Sequence, residues 1–173
     1  RISDVGVILD LGIHDIDNVI YLMDSKPISV FAKGGKYHDI EYEDHATIMI
    51  GFENGKNALV EVNWITPMKV RTLSLTCEKS FVQLDYMKQS LNISTSRFMN
   101  PEDPNQYPLK IEIDSKEIPL NFAEPLKLEI IDFINSIESK SEPLVNGEAA
   151  LLSLKVTISA LKSLDTGEVV NID

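Results

Sequence analysis

From Leu9 to Met23 the apolar residues Leu9, Ile13, Ile16, Ile20 and Met23 recur at spacings of four and three, the rhythm of an amphipathic helix. Asp10, His14, Asp17 and Tyr21 repeat that rhythm one residue later. One residue is about 100° around a helix of 3.6 residues per turn, so the polar stripe flanks the apolar one instead of opposing it. Beyond Met23 the period changes to two. Ile28 to Lys33 reads as a short strand ended by Gly34 and Gly35, and His38 to Asp44 as a solvated acidic loop. Ala46 to Glu53 and Asn57 to Trp64 are strand-like runs joined at Asn54-Gly55, a pair that tolerates positive φ and predicts a type I′ hairpin. Val70 to Cys77 alternates, and Phe81 to Tyr86 and Leu91 to Thr95 continue the meander. Asn100 to Pro108 holds three prolines and reads as a loop; Leu109 to Asp114 and Glu117 to Asn121 read as a hairpin around Ser115-Lys116.

Two helices follow. Pro125 suits a first helical turn, where its missing N–H is not needed, and Leu126, Ile130, Phe133, Ile134 and Ile137 form an apolar stripe behind it. After Pro143, Asn146 is placed to cap a second helix with Glu148 in its first turn, Leu151, Leu154, Ile158 and Leu161 as its buried face and Gly167 just past its end. Val169 to Ile172 is a last strand. A helix, a run of antiparallel strands and two segregated helices predict an α+β fold: one large, mostly antiparallel sheet with helices on one face. Leu59, Glu61 and Asn63 alternate with Val60, Val62 and Trp64, so a sheet face stays open, a natural surface for a homodimer or homotetramer.

The 173 residues suit a single domain. Sixteen Lys and Arg against 27 Asp and Glu give a net charge of −11, with no basic cluster to meet a phosphate backbone, so no nucleic-acid partner is expected. No apolar run reaches the roughly 20 residues that span a bilayer, and no signal-peptide pattern opens the chain. With the single Cys77 no intrachain disulfide forms; the expected location is cytoplasmic. Arg1 opens with no start methionine, and a helix begins within the next ten residues; the chain reads as a piece of something longer.

Candidate chemistry gathers on the first helix. Asp10 and His14, four apart, meet on one helical face. A carboxylate on one imidazole nitrogen fixes the tautomer and frees the other as a base; Asp17 lies a turn further on. Gly12 inside a helix costs about 1 kcal/mol against alanine, which points to another backbone or a ligand passing close by. The plainer reading makes His14 an ordinary helix histidine and Asp10 a first-turn acid. No second histidine has metal-type spacing from His14. Lys69 and Arg71 are either phosphate contacts in a cleft or exposed bases at a strand edge. There is no Gly-x-Gly-x-x-Gly, phosphate loop, serine elbow or Cys-x-x-Cys.

The run Asp10-Leu-Gly-Ile-His14-Asp-Ile-Asp17 resembles the Gfo/Idh/MocA oxidoreductases. Glu43-Asp44, Phe52-Glu-Asn-Gly55, Asn63-Trp64, Thr66-Pro67, Lys69, Arg71, Asp85-Tyr86, Glu124-Pro125-Leu126, Asp132-Phe133-Ile134, Pro143 and Gly147-Glu148 follow the order of that family's second domain. Arg1-Ile-Ser-Asp-Val-Gly6 and the helix after it are most similar to its UDP-N-acetylglucosamine 3-dehydrogenases and their relatives. The resemblance implies an enzyme that binds NAD or NADP in an N-terminal Rossmann domain and transfers a hydride to or from a hydroxyl or keto carbon of a sugar, nucleotide sugar or cyclitol. It implies that His14 transfers the proton, that Asp10 holds substrate and imidazole, and that a lysine in a Glu-Lys-Pro motif completes the set. Neither that motif nor the glycine-rich turn is in this chain. Residues 1–173 are therefore expected to be the substrate-binding and oligomerisation domain, inactive alone, with Asp17, Lys69 and Arg71 as substrate contacts. A non-catalytic ligand-binding or dimerisation module is the competing expectation.

Overall fold

The computed structural model describes residues 4–98 and 111–172; the expected loop Asn100 to Pro108 lies outside them. In chain order the elements are a five-residue π-helical turn at Ile8–Gly12, α1 (Ile13–Met23), β1 (Pro27–Gly35), β2 (His45–Phe52), β3 (Asn57–Asn63), β4 (Thr72–Thr76), β5 (Phe81–Asp85), β6 (Ser90–Phe98), β7 (Ile111–Ile118), α2 (Pro125–Ser139), α3 (Gly147–Thr166) and β8 (Val170–Asn171). The antiparallel α+β class is the one observed. Its strands are shared between two four-stranded sheets, β3-β2-β1-β8 and β4-β5-β6-β7. The chain forms two compact units, Arg1–Pro67 with Ile131–Asp173, and Met68–Ile130. The end of β3 is local chemistry. Asn63 Oδ1 accepts hydrogen bonds from Ile65 N, Thr66 N and Thr66 Oγ1, folding the chain into a side-chain-bonded turn, and Pro67 brings no donor for a further ladder bond.

In the first unit the strand period of two sends Val30, Ala32, Ala46, Ile48, Ile50, Phe52, Val60 and Val62 to one face. They form a core with Val7, Ile8, Ile16 and Val19 from the N-terminal helix and Val156 and Ala160 from α3. On the opposite face Phe31, Met49 and Leu59 align across β1, β2 and β3, with Met49 and Leu59 exposed. The β2–β3 connection is not the expected type I′ turn. Gly55 has φ +78°, and Asn54 is not among the residues with positive φ. Gly55 N donates to Phe52 O, and Phe52 N to Lys56 O, giving a type I turn with a left-handed glycine after it. Asn54 also serves the helix: its side-chain amide donates to Met23 O and its backbone N to Ser25 Oγ.

α3 starts and stops as expected. Asn146 Oδ1 accepts from Ala149 N at 3.0 Å, and Gly167 adopts φ 74° with its N–H on Ser163 O. Its buried face is a different one. Ser153, Val156, Thr157, Ala160 and Ser163 are buried, while Leu151, Leu154 and Ile158 are exposed. Small side chains let α3 approach β1 closely, and each buried hydroxyl is satisfied: Thr157 on Ser153 O, Ser153 on Asp17, Ser163 between Ala32 N and Glu168 O. The apolar stripe of α2 is also exposed; Ser136 is its buried residue.

In the second unit Leu73, Leu84, Leu91 and Ile118 stand in one cross-strand row, with Leu75, Val82 and Ile93 in the next. The expected hairpin around Ser115-Lys116 is one straight strand instead. β7 pairs with β6 from Ile118 through to Ile111, and the Ser94 and Ser115 hydroxyls bond across it at 2.7 Å.

Candidate functional site

The helix carrying Asp10 and His14 does not begin as a uniform α-helix. The wider π turn at Ile8–Gly12 moves the first half of the buried stripe back by one residue, so Ile8 and Gly12 are buried while Leu9 and Ile13 are half-buried. Ile16 and Val19 keep the expected phase. Gly12 is not squeezed by another backbone: a Cβ there meets Ile48 Cδ1 and Val62 Cγ2 at 3.7 and 3.8 Å, ordinary contact. Asp10 is half-buried within the π turn and His14 is exposed one turn later. Among the described residues no hydrogen bond joins the two; the four-residue spacing alone is insufficient where the turn is not α-helical. π turns of this kind are frequent at functional sites.

Glu43, expected in a solvated loop, holds the start of this helix, and its neighbour Asp44 anchors that loop. Glu43 and Asp44 are both buried. Glu43 O accepts from Val7 N at 3.0 Å, and Glu43 Oε1 from Ile8 N at 3.0 Å. Asp44 is fully buried. Its Oδ1 accepts from Tyr37 N and His45 Nδ1, and its Oδ2 from His38 N and His38 Nδ1. Its backbone adds two more bonds, N to Gly35 O and O from Trp64 N. Burial pushes such a carboxyl pKa up, but the bonds from the His45 ring, the His38 and Tyr37 amides and the His38 ring outweigh it and hold Asp44 well below the usual carboxylate range. An ionised carboxylate only accepts, so Nδ1 of both rings carries a proton. The sequence signal for Asp44 was its parity: positions 44, 46, 48, 50 and 52 all face the core.

Asp17 is half-buried and accepts from Ser153 Oγ at 2.6 Å through Oδ1, tying α1 to α3. Lys69 and Arg71 are exposed and belong to the second unit. A groove of about 500 Å³ in that unit is lined by residues including Thr76, Cys77, Phe81, Ser94 and Ile113; it contains none of the expected site residues. Cys77 is exposed: it lies past the end of β4, its N bonded to Ser80 O in the turn that follows. Among the described residues no cluster of three or more His, Cys, Asp or Glu could hold a metal ion, and no helix is long and apolar enough to cross a membrane. Every described strand pairing is antiparallel, and the chain has no glycine-rich phosphate turn, so these residues do not fit a dinucleotide.

An antiparallel α+β domain with an acid and an imidazole on an accessible helix is the class this structure defines. Residues 2–83 match the family model for the GFO/IDH/MocA C-terminal domain. It is 25% identical over 175 residues to the uncharacterized oxidoreductase YrbE of Bacillus subtilis, covering 97% of this chain and 48% of that protein. It is 25% identical over 167 residues to UDP-N-acetylglucosamine 3-dehydrogenase of Acidithiobacillus ferrooxidans, covering 92% of this chain and 51% of that protein. A solved structure of the latter, GnnA, superposes with a TM-score of 0.78 at 22% identity, over 92% of this chain and 48% of that one. The WlbA dehydrogenase of Bordetella pertussis, solved with NADH and UDP-GlcNAcA, gives 0.70 at 21%, over 98% and 46%. These superpositions establish the shared fold. The chain spans about half the length of the curated relatives it matches.

Proposed function

We propose that this chain is the substrate side of an NAD(P)-dependent dehydrogenase acting on a hydroxyl or keto group of a nucleotide sugar or related carbohydrate. The observation that carries the reading is the accessible imidazole of His14, on a helix within the matched region. The relatives named above support it: one is a UDP-N-acetylglucosamine 3-dehydrogenase, and one was solved with NADH and a UDP-sugar acid. A nicotinamide cofactor, held by a partner domain and not by the residues of this chain, would take or give the hydride. The part played here is proton transfer and positioning. His14 removes the hydroxyl proton as the carbinol carbon is oxidised, or returns it in the reverse direction, the general acid–base role of an imidazole within reach of the hydroxyl. Asp10 orients substrate and imidazole once substrate is bound. Asp17 spends Oδ1 on Ser153 and keeps Oδ2 for a substrate hydroxyl. The open face around Met49 and Leu59 is the dimerisation surface. In the enzyme containing this domain and its nicotinamide-binding partner domain, His14→Ala is expected to lower kcat by about 10²-fold or more. Turnover equal to wild type would overturn the assignment.

A further inference from the structure

We propose that Glu43 is a positioning residue for the proton-transfer helix: it fixes the π turn and thereby sets where Asp10 and His14 stand. The proposal rests on the functional reading above for its catalytic half. The first amides of a helix have no partner within it. Here two of them, Val7 N and Ile8 N, belong to fully buried residues, so each needs an acceptor inside the protein. Both find Glu43, one at its carbonyl and one at its carboxylate. A carboxylate at a helix N-terminus also lies at the favourable end of the dipole. A second, independent observation concerns Gly6. A Cβ added there falls 2.1 Å from Glu43 Cδ, Oε1 and Oε2. The backbone before the turn has been kept bare so that this carboxyl can lie against it. The loop bringing Glu43 is anchored in turn by the buried Asp44. Asp10 sits two residues beyond the clamped Ile8 amide, and Asp10 N itself bonds to Gly6 O. A shift of the clamp is therefore a shift of the acid.

The test has two arms. In this chain, amide hydrogen exchange is followed at Ile8, with Val30 and Ile48 as references from the core. Glu43→Asp keeps the charge but withdraws the carboxylate by one carbon; exchange at Ile8 is expected to rise about 10-fold with the references unchanged. Glu43→Gln keeps an acceptor oxygen and should stay within about 3-fold of wild type. Gly6→Ala should mimic Glu43→Asp, and adding it to Glu43→Ala should do no further harm, since both act on one contact. Unchanged exchange at Ile8 in Glu43→Asp, or additive effects of the two alanine changes, would overturn the clamp. In the dehydrogenase containing this domain, Glu43→Asp should lower kcat roughly 10-fold with KM within about 2-fold, and Glu43→Gln should restore it. A folded Glu43→Asp enzyme with wild-type kcat would overturn the positioning role. If the wild-type enzyme has no dehydrogenase activity, the functional reading fails while exchange at Ile8 still decides the clamp.

Discussion

Asp44 shows how much one side chain can hold in this unit. Its carboxylate gathers the Tyr37 and His38 amides and the His38 and His45 rings, closing the loop between β1 and β2. The sign of its pH effect follows from its lowered pKa. The group is ionised in the folded protein at pH values where the unfolded chain, near the ordinary 3.8, has begun to take up protons. Its stabilisation is therefore complete above the unfolded value and lost as pH falls below it. The melting temperature should fall between about pH 5 and pH 3, and Asp44→Asn, which turns a donor toward donors, should be less stable at neutral pH and show a shallower acid slope. Circular dichroism melts of the two proteins check this; equal slopes would remove Asp44 as the cause. His14 illustrates the other side of residue-scale reading. Its place on an accessible helix face was legible from spacing. Its missing bond to Asp10 was not, because the π turn changes the angle between positions four apart.

At the scale of elements, α3 carries the clearest lesson. Its caps follow from Asn146 and Gly167, both local signals. Its buried face does not follow from hydrophobicity, because Leu151, Leu154 and Ile158 face out while serines and a threonine face in. Ser163 Oγ serves the buried amide of Ala32, 131 positions away. Ser163→Ala should leave that amide unpaired at a cost of about 1–3 kcal/mol, read as a lower urea midpoint. Ile158→Gln, on the stripe that hydrophobicity alone marks as core, should change stability by no more than about 0.5 kcal/mol. The reverse ranking would mean that α3 packs through its leucine face.

For the whole molecule, the two units differ in how they are filled. The first has a fully buried core drawn from β1, β2, β3, α3 and the N-terminal helix. Among the described residues of Met68–Ile130, none is buried. Amides of β5 and β6 should therefore exchange at least about 10-fold faster than those of β1 and β2, measurable by mass spectrometry on peptides from each unit. Equal protection would contradict the burial pattern. The amino-acid order by itself determined the α+β class, strands β1 to β3, the ends of α3 and the helix bearing His14. Period, caps and turns are set by neighbours a few residues apart. Tertiary structure alone decided the phase of the π turn, the serine face of α3, the burial of Glu43 and Asp44, and the sharing of strands between two sheets. Each depends on a partner far along the chain, as Glu43 is from Ile8, and a hydrophobic count cannot see that a small or charged side chain has found one.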